Sequence, residues 1–481
     1  MQFGSQALSE SFPSTQTITP PTAWDPLVSW PVHYRYFGAL LGIIVLAIQG
    51  WSFVASFWPP LMSVKTGQGL KEVPNYEADY FQDWVSGRHW WEKREIYPRL
   101  AESMDEYMGP DPNRKVYVER NAHPPASVLM VIPFTWFDYQ LSYLLWDLSE
   151  FLFFVLGVWL IGRELSLRWS WPLILMLSGV MMFCGPLRQQ VLQGQFNGLL
   201  VLMVAAAWRD SRSGHLARAG VWLAIATAVK LYPGFLFVHF LVRRQWRLVL
   251  VGSTAFLAIM TMTWVVLGTD AFLSYVTEVM PLVSQCRAGW PNASLAGIWS
   301  KLFDAGNGND AARLVLLWPN PILCRAGIAT SVAVVLGLWL WALLRPMNAA
   351  NPTVETARNQ GDLCFCLSLF AMSLVSPVTW DHYLLVMILP LLVMARQLTW
   401  LDWRAWVLAC LAGVCCLSPP TLWWLVSLDK DDRALPWQVI TALSLHLYAL
   451  WAWFGLNLHM LRTVEGDEVS KTPVGGAHPT L

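Results

Sequence analysis

Charged residues are scarce in this sequence. Only 13% of its 481 residues are charged and 55% are hydrophobic, whereas a soluble globular chain is about 25% charged and about 45–50% apolar. The 32 basic and 32 acidic residues cancel and form no basic block, which excludes a nucleic-acid-binding protein. The mean hydropathy of +0.42 and the 30 tryptophans, a residue enriched at membrane–water interfaces, predict an all-α polytopic membrane protein.

Cysteine is also scarce, and its spacing matches no metal site. The eight cysteines lie mostly in apolar runs, where a thiol behaves as a small buried hydrophobe. Neither a metal nor a cofactor is therefore expected. Cys286 and Cys324 share one predicted extramembrane loop and are candidates for a disulfide, which sequence alone does not decide. The N-terminus has no basic segment followed by an apolar core, so no cleavable signal peptide is expected.

The apolar residues form twelve segments. A membrane span needs about 20 consecutive apolar residues. The clear candidates are 37–58, 141–161, 247–267, 327–344, 361–376, 404–418 and 437–460. The shorter ones are 170–184, 197–208, 219–230, 233–242 and 383–395. Because the shorter segments are marginal as full spans, we expect broken or tilted helices there, around a cavity near residues 185–235.

The arrangement of these segments predicts three parts. Residues 1–35 form a disordered cytoplasmic N-terminus, 36–461 a transmembrane domain and 462–481 a disordered cytoplasmic tail. Two long loops, 59–140 and 268–326, lie outside the cytoplasm, and Ala126–Phe137 is an interfacial stretch too short to span.

Arginines in short loops indicate the orientation, since basic residues mark the cytoplasmic side. With the N-terminus inside, the inside loops hold Arg163, Arg168, Arg209, Arg212, Arg218, Arg243, Arg244, Arg247, Arg345, Arg358, Arg396 and Arg404. The short outside turns hold only Arg188, Lys230, Lys430 and Arg433. A second topology, with 219–242 as one span and Lys230 at mid-membrane, would place the arginines at 243–247 outside and ranks lower.

Five polar clusters interrupt the apolar background, and the preferred topology places all of them at the outer face. They are residues 77–84, 123–125, 188–197, 230–233 and 376–383. A carboxylate in such a cluster can act as a general base, cationic side chains can neutralise a phosphate, and Gln or Asn can bind hydroxyl groups. No Gly-rich phosphate loop occurs, so a nucleotide-sugar donor is not expected. The set predicts an enzyme that handles a lipid-linked phosphosugar.

Each candidate also has a purely structural interpretation. Asp79 and Asp83 can be solvated loop acids, and Arg188 an interface anchor. Gln195 and Asn197 can cap the helix that begins near 198, Lys230 can extend its ammonium to the headgroups, and His382 can be a turn histidine. Asn292-Ala293-Ser294 matches a glycosylation sequon.

Taken in order, the motifs resemble those of glycosyltransferase family 87. The matching stretches are Asp79-Tyr80-Phe81 with Gly87 and Tyr97, His123-Pro124-Pro125, Gly194-Gln195-Phe196-Asn197, Lys230-Leu231-Tyr232-Pro233, Asn292-Ala293-Ser294-Leu295, and Ser376-Pro377 with Trp380 and His382-Tyr383. The resemblance implies the GT-C fold, a polyprenyl-phosphate sugar donor, most simply mannose, a lipid or glycan acceptor, inversion and no metal. It also implies the plasma membrane of a bacterium, with the site on the extracytoplasmic face.

The resemblance assigns roles residue by residue. It makes Asp79 the general base. It gives phosphate-side roles to Lys230, His382 and Arg188, and positioning roles to Gln195, Asn197 and Trp380. Asp83, His123 and Tyr383 complete the expected substrate-binding set, although His123 stands where the family usually has Tyr. A secondary transporter or a lipid-linked glycan flippase is the alternative class, because such proteins also have interrupted spans with ionisable residues.

Overall fold

A computed structural model describes most of the chain. The described residues are 36–37, 40–48, 50–51, 78–109, 119–167, 171–181, 183–306, 313–345, 353–399, 401–417 and 433–471. Within them the secondary structure is helical, apart from an isolated β-bridge between Leu314 and Ala434. The predicted N-terminal region 1–35 lies outside the described residues, as do parts of the first apolar segment and of both long loops.

Short helices of the first loop precede the first long span. They are α1 (Ala78–Glu92), α2 (Leu100–Met108) and α3 (Pro125–Val131), followed by a 3₁₀ turn at Ile132–Trp136. Helix α4 (Tyr139–Glu164) begins at Asp138, whose side chain accepts from the Leu141 amide at 3.0 Å, as a helix N-cap does. The interfacial stretch 126–137 is thus two short helical turns that pack on α1.

The central helices include both short and long ones. They are α5 (Trp171–Met181), α6 (Gly185–Gln193), α7 (Asn197–Arg212), α8 (Leu216–Val229), α9 (Phe235–Val242) and α10 (Trp246–Leu267). Helix α4 packs along α7, and α8 packs between α7 and α10. A 3₁₀ turn at Tyr232–Gly234 separates α8 from α9, so residues 219–242 are not one continuous helix.

The second half follows the same pattern. Its helices are α11 (Thr269–Ser274), α12 (Met280–Gln285), α13 (Leu295–Phe303), α14 (Pro321–Leu344), α15 (Val354–Val375), α16 (Ile388–Arg396), α17 (Trp403–Cys415), α18 (Pro436–Ile440) and α19 (Leu445–Lys471). A π-helical turn at Tyr275–Val279 joins α11 to α12, and a 3₁₀ stretch at Asp381–Met387 precedes α16. The buried face of α15 packs against α19 and forms part of the core.

Four helices in the described part are long and apolar enough to cross a membrane. They are Tyr139–Glu164, Trp246–Leu267, Pro321–Leu344 and Pro436–Thr463. The bent pair α6–α7 makes a fifth if it is counted as one span. The count of twelve spans therefore stays a prediction. Helix α19 continues to Lys471, and the domain boundary at 461 stays a prediction.

The bend between α6 and α7 depends on Gly194. The two helices meet at 118°, and Gly194 closes α6 with a left-handed φ of 61°, a conformation that glycine adopts without steric strain. A side chain there would also meet Tyr80, since an added Cβ would lie 2.6 Å from the Tyr80 Cβ. The broken helix that the sequence predicted in this region is therefore present. It places Gln195 just before the N-terminus of α7.

Gly198 sets the close approach of α4 and α7. An added Cβ would lie 2.1 Å from the backbone oxygen of Glu150, and overpacking of this kind destabilises a protein by about 1–3 kcal/mol. We expect Gly198→Ala to lower the thermal unfolding temperature in detergent. The matched control is Gly337→Ala in α14, where nothing lies within 4 Å; replacing a helical glycine by alanine there adds about 0.5–1 kcal/mol of stability. Equal unfolding temperatures for the two variants would contradict the close approach.

The arginines used above as orientation signals also form ion pairs between helices. Arg212 contacts Glu164 at 2.8 Å and Asp362 at 3.1 Å, which connects α7 to α4 and α15. Arg218 makes two hydrogen bonds to Asp210, at 2.8 and 3.1 Å. These arginines therefore hold neighbouring helices together, in addition to indicating the orientation.

The disulfide that the sequence left open between Cys286 and Cys324 is absent, and both side chains are thiols. The Cys286 thiol, in the turn that follows α12, points to the Leu282 carbonyl 4.0 Å away, and Cys324 lies in α14 against Ser300 at 3.9 Å. Sharing one loop did not place the two side chains together.

Candidate active site

Asp79 stands at the start of α1 with a partly exposed carboxylate. The Gln195 side-chain amide donates to its Oδ2 at 2.8 Å, across 116 residues of sequence. The Gln82 amide approaches Oδ1 at 3.4 Å. The α6–α7 bend thus places Gln195 against the carboxylate of Asp79, the predicted general base.

The same glutamine also binds a lysine. The Nζ of Lys230 donates to Gln195 Oε1 at 2.6 Å and lies 4.2 Å from the centroid of the Tyr383 ring. Lys230 is only 4% exposed, so its ammonium does not extend to lipid headgroups, as the structural interpretation had it. Helix α8 ends at this residue with an extended backbone (φ −139°, ψ 131°), which turns the side chain into the site.

The 376–383 stretch forms the opposite wall. The Tyr383 ring stacks on Tyr232, with centroids 5.0 Å apart and planes inclined by 15°. The Trp380 ring packs directly on Gly289, where an added Cβ would be 2.5 Å from it. This stretch therefore joins the Lys230-Leu231-Tyr232-Pro233 turn to the second long loop, residues 268–326.

His382 is buried beside these groups. It is 3% exposed, and within the described residues neither ring nitrogen makes a hydrogen bond; Nδ1 lies 3.4 Å from Asp381 Oδ1. Burial lowers the pKa of His382, and the charges of Lys230 and Asp79 both act on it. The ring is therefore neutral near pH 7, with a nitrogen available for an incoming group.

Asn292 connects the second long loop to the same 376–383 stretch. Its Oδ1 accepts from the Thr379 amide at 2.9 Å, and its Nδ2 donates to the Pro377 carbonyl at 3.1 Å. Ser294 caps α13 and also donates to the Pro377 carbonyl. Because Asn292 is only 2% exposed, the interpretation of this triplet as a glycosylation sequon is wrong, and its role is to hold the 376–383 stretch.

Asp83 and His123 contact each other rather than the Asp79–Lys230 group. The His123 Nδ1 lies 2.7 Å from Asp83 Oδ2, and Asn121 donates to Asp83 Oδ1 at 3.1 Å. Asp83 is fully buried, so it is not a solvated loop acid. Both of its oxygens are engaged in holding the 121–123 segment against α1, and a direct substrate role for the pair stays a prediction.

Arg188 and Asn197 lie apart from the contacts of Asp79. Arg188 is exposed, and its side chain makes no hydrogen bond or ion pair within the described residues. Asn197 is buried and donates to Gln190 Oε1 at 2.8 Å. Helix α7 begins at Asn197, and the preceding Phe196 makes no side-chain cap, so the interpretation of Asn197 as an N-cap is wrong.

The sequence interpretation passed over several polar residues that support the site. Asn121, Gln190 and Glu150 are each at most 3% exposed and are hydrogen-bonded within the networks around it. Glu150 carried a readable signal, because an acid inside an apolar span is costly and marks a specific role. Tyr80 packs against the bend; burial raises the pKa of its phenol, which stays protonated and shares a 2.6 Å hydrogen bond with Ser142.

The geometry brings together one accessible carboxylate, one buried lysine amine and one neutral imidazole. Such a group can remove a proton at one point and stabilise a developing anion at another. Among the described residues, no three His, Cys, Asp or Glu side chains converge to hold a metal ion. The expectation of metal-free chemistry stays a prediction.

A carboxylate, a lysine and a histidine gathered in a helical membrane protein suit an enzyme that transfers sugars from lipid carriers. Sequence comparison identifies the family. The sequence pattern of glycosyltransferase family 87 matches residues 121–377, and the chain belongs to this family. It is accordingly a hexosyltransferase, which removes the transporter alternative. The matched range contains His123, Arg188, Gln195, Asn197 and Lys230, whereas Asp79 and residues 380–383 lie outside it.

Three mycobacterial enzymes are similar over most of the chain. One from Mycolicibacterium smegmatis, named polyprenol-phosphate-mannose-dependent alpha-(1-2)-phosphatidylinositol mannoside mannosyltransferase, is 24% identical over 373 residues, 74% of this chain and 78% of the relative. Its namesake from Mycobacterium tuberculosis is 24% identical over 352 residues, 69% of this chain and 74% of the relative. The third, a phosphatidylinositol pentamannoside mannosyltransferase from M. smegmatis, is 24% identical over 344 residues, 69% of this chain and 75% of the relative.

Proposed function

We propose that this protein transfers a sugar, mannose in the first instance, from a polyprenyl-phosphate donor to a hydroxyl of a lipid or glycan acceptor. The observation that carries the proposal is the chain of contacts Asp79–Gln195–Lys230, with hydrogen bonds of 2.8 and 2.6 Å. It sets a proton acceptor and an anion-binding group on either side of one amide. The mannose donor is taken from the names of the relatives.

The reaction is a single displacement. The acceptor oxygen attacks the anomeric carbon while Asp79 takes its proton, and the bond from that carbon to the phosphate oxygen breaks. Polyprenyl phosphate leaves with the bonding electrons. Lys230 supplies charge to this leaving group, and His382 supplies a hydrogen bond. Because a phosphate leaving group needs no general acid, one carboxylate suffices, in contrast to the pair that glycosidases use.

Attack opposite to the leaving group inverts the anomeric centre, so a β-linked donor gives an α-linked product. The site is proposed to face away from the cytoplasm in a plasma membrane, with the arginine-rich loops inside. Lipid-linked donor and acceptor can then both enter from the bilayer. The acceptor proposed first is a phosphatidylinositol mannoside, which is named for the relatives.

The test uses the purified full chain in lipid nanodiscs. It is incubated with phosphatidylinositol mannoside and, in separate reactions, with polyprenyl-phosphate mannose, polyprenyl-phosphate glucose, a polyprenyl-phosphate pentose and GDP-mannose. We expect release of polyprenyl phosphate and a new α-linkage, detected by mass spectrometry and by the anomeric NMR signal, with a polyprenyl-phosphate sugar only. Transfer from GDP-mannose, or no release from any polyprenyl donor with a range of lipid and glycan acceptors, would contradict the proposal.

A further inference from the structure

Helix α4 presents a row of polar groups to the α6–α7 bend. Tyr143, Trp146 and Glu150 follow each other at intervals of three and four residues, so they share one helical face. The Tyr143 hydroxyl donates to the Val191 carbonyl at 2.8 Å, and the Trp146 indole donates to the Gly194 carbonyl, also at 2.8 Å. The C-terminal end of α6 is therefore attached to α4.

Glu150 is the acidic member of this row, and it contacts residues on both sides of the bend. It is 2% exposed. Its Oε2 accepts from the Leu199 amide at 3.1 Å and from the Gln190 side-chain amide at 3.3 Å. An unsatisfied amide at the start of a buried helix is unfavourable, so this carboxylate completes the N-terminus of α7.

Gln190 carries the contact on to the site. Its Oε1 accepts from both the backbone and the side-chain amide of Asn197, at 3.2 and 2.8 Å. Its Nε2 donates to the backbone carbonyl of Gln195. The two ends of the Gly194–Asn197 turn are thereby held by one side chain, whose own orientation depends on Glu150.

We propose that Glu150, acting through Gln190, is a positioning residue that fixes the turn so that the Gln195 side chain bridges Asp79 and Lys230. Glu150 itself touches neither of those two groups through a hydrogen bond. Its role is to accept hydrogen bonds at one oxygen, so an amide oxygen can replace it. The inference rests on the proposed function for its catalytic readout, but its structural consequence is independent of any activity.

The structural readout is hydrogen–deuterium exchange of peptides that cover residues 190–200. Glu150→Ala is expected to raise their exchange, because the Leu199 amide and Gln190 lose their acceptor. Glu150→Gln is expected to leave exchange near that of the wild type. The matched control is Asp147→Ala, which removes a buried acid one turn earlier in α4 whose oxygens have no hydrogen-bond partner in the described part of the chain. Unchanged exchange in Glu150→Ala would overturn the proposal whether or not the wild type is active.

The catalytic readout separates kcat from KM. A displacement of about 1 Å at a reacting group reduces rate by about 100-fold, so Glu150→Ala is expected to lower kcat by about that factor with little change in the KM for the donor. Glu150→Gln should restore most of the rate, and Asp147→Ala should remain near wild type. If Glu150→Gln is as slow as Glu150→Ala, the charge and not the acceptor geometry matters, and the proposal is wrong.

A double variant distinguishes action through Gln195 from a general loss of structure. Contacts in one network are non-additive, so Glu150→Ala combined with Gln195→Ala should be no slower than Gln195→Ala alone. Additive losses would overturn the proposed path. If Glu150→Ala does not fold, Gln190→Met takes its place, because it removes the same bridge with a side chain of similar length. It is then compared with the wild type in hydrogen exchange, in kcat and KM, and in combination with Gln195→Ala. A wild type that transfers no sugar refutes the proposed function, and the exchange experiment still decides the inference.

Discussion

Replacing Asp79 by asparagine is expected to reduce the rate of sugar transfer by about 10²–10⁴-fold, the usual contribution of a general base. Asparagine has nearly the same shape, and its carbonyl oxygen can still accept the hydrogen bond that Gln195 gives to Asp79 at 2.8 Å. It cannot take a proton from the acceptor hydroxyl. The loss should therefore appear in kcat, with the KM for the polyprenyl-phosphate donor little changed, in a steady-state assay of polyprenyl phosphate release.

The control for this variant is Glu102→Gln, an acid on α2 in the same long loop, whose side chain is 75% exposed. It changes the net charge of the loop equally and should leave turnover unchanged. Thermal unfolding in detergent should be the same for both variants and the wild type. Turnover that persists in a correctly folded Asp79→Asn protein would show that another group removes the proton.

The sequence predicted that its polar clusters share one face, but not the contacts between their side chains. Asp79, Gln195 and Lys230 come from three separate polar clusters, and the alternation of arginine-rich and arginine-poor loops was enough to predict one common face. What sequence does not contain is the direction of the Gln195 side chain. That direction follows from the left-handed Gly194 and from the 118° bend between α6 and α7, which only the packing against α4 determines.

Asp83 shows why spacing alone misleads. It lies one helical turn after Asp79 and was expected to bind substrate or to be solvated, yet it is fully buried. Its partners, Asn121 and His123, are 38 and 40 residues away in sequence. Its environment is therefore set by how the chain folds back after α2. A local pattern gives the face of a helix on which a residue lies, but not which segment covers that face.

The lengths of the helices show why the sequence did not determine the number of membrane crossings. Helix α17 has 13 residues and α5 has 11, too few for a full crossing at 1.5 Å per residue. The runs 404–418 and 170–184 read as apolar segments because they are hydrophobic on most sides, which buried protein contacts and lipid both permit. The sequence thus predicted a helical membrane fold, while the number of complete crossings depends on tertiary packing.

Replacing Lys230 by methionine is expected to lower kcat by about 10²–10³-fold, the loss seen when one preorganised electrostatic group is removed from the developing charge of a transition state. Methionine preserves most of the volume of a side chain that is 4% exposed, so packing is retained. The group proposed to face the leaving phosphate is lost, together with the 2.6 Å hydrogen bond to Gln195. The measurement is single-turnover release of polyprenyl phosphate.

Binding of the product separates the role of Lys230 from that of Asp79. If Lys230 holds the phosphate, Lys230→Met should weaken inhibition by added polyprenyl phosphate, whereas Asp79→Asn should leave that inhibition intact or strengthen it by removing a nearby negative charge. Lys93→Met, which removes an exposed lysine of the first loop, is the matched control and should change neither quantity. Inhibition unaltered in Lys230→Met would mean that the buried ammonium serves only to orient Gln195, and the phosphate would then have to be held by His382 and its neighbours.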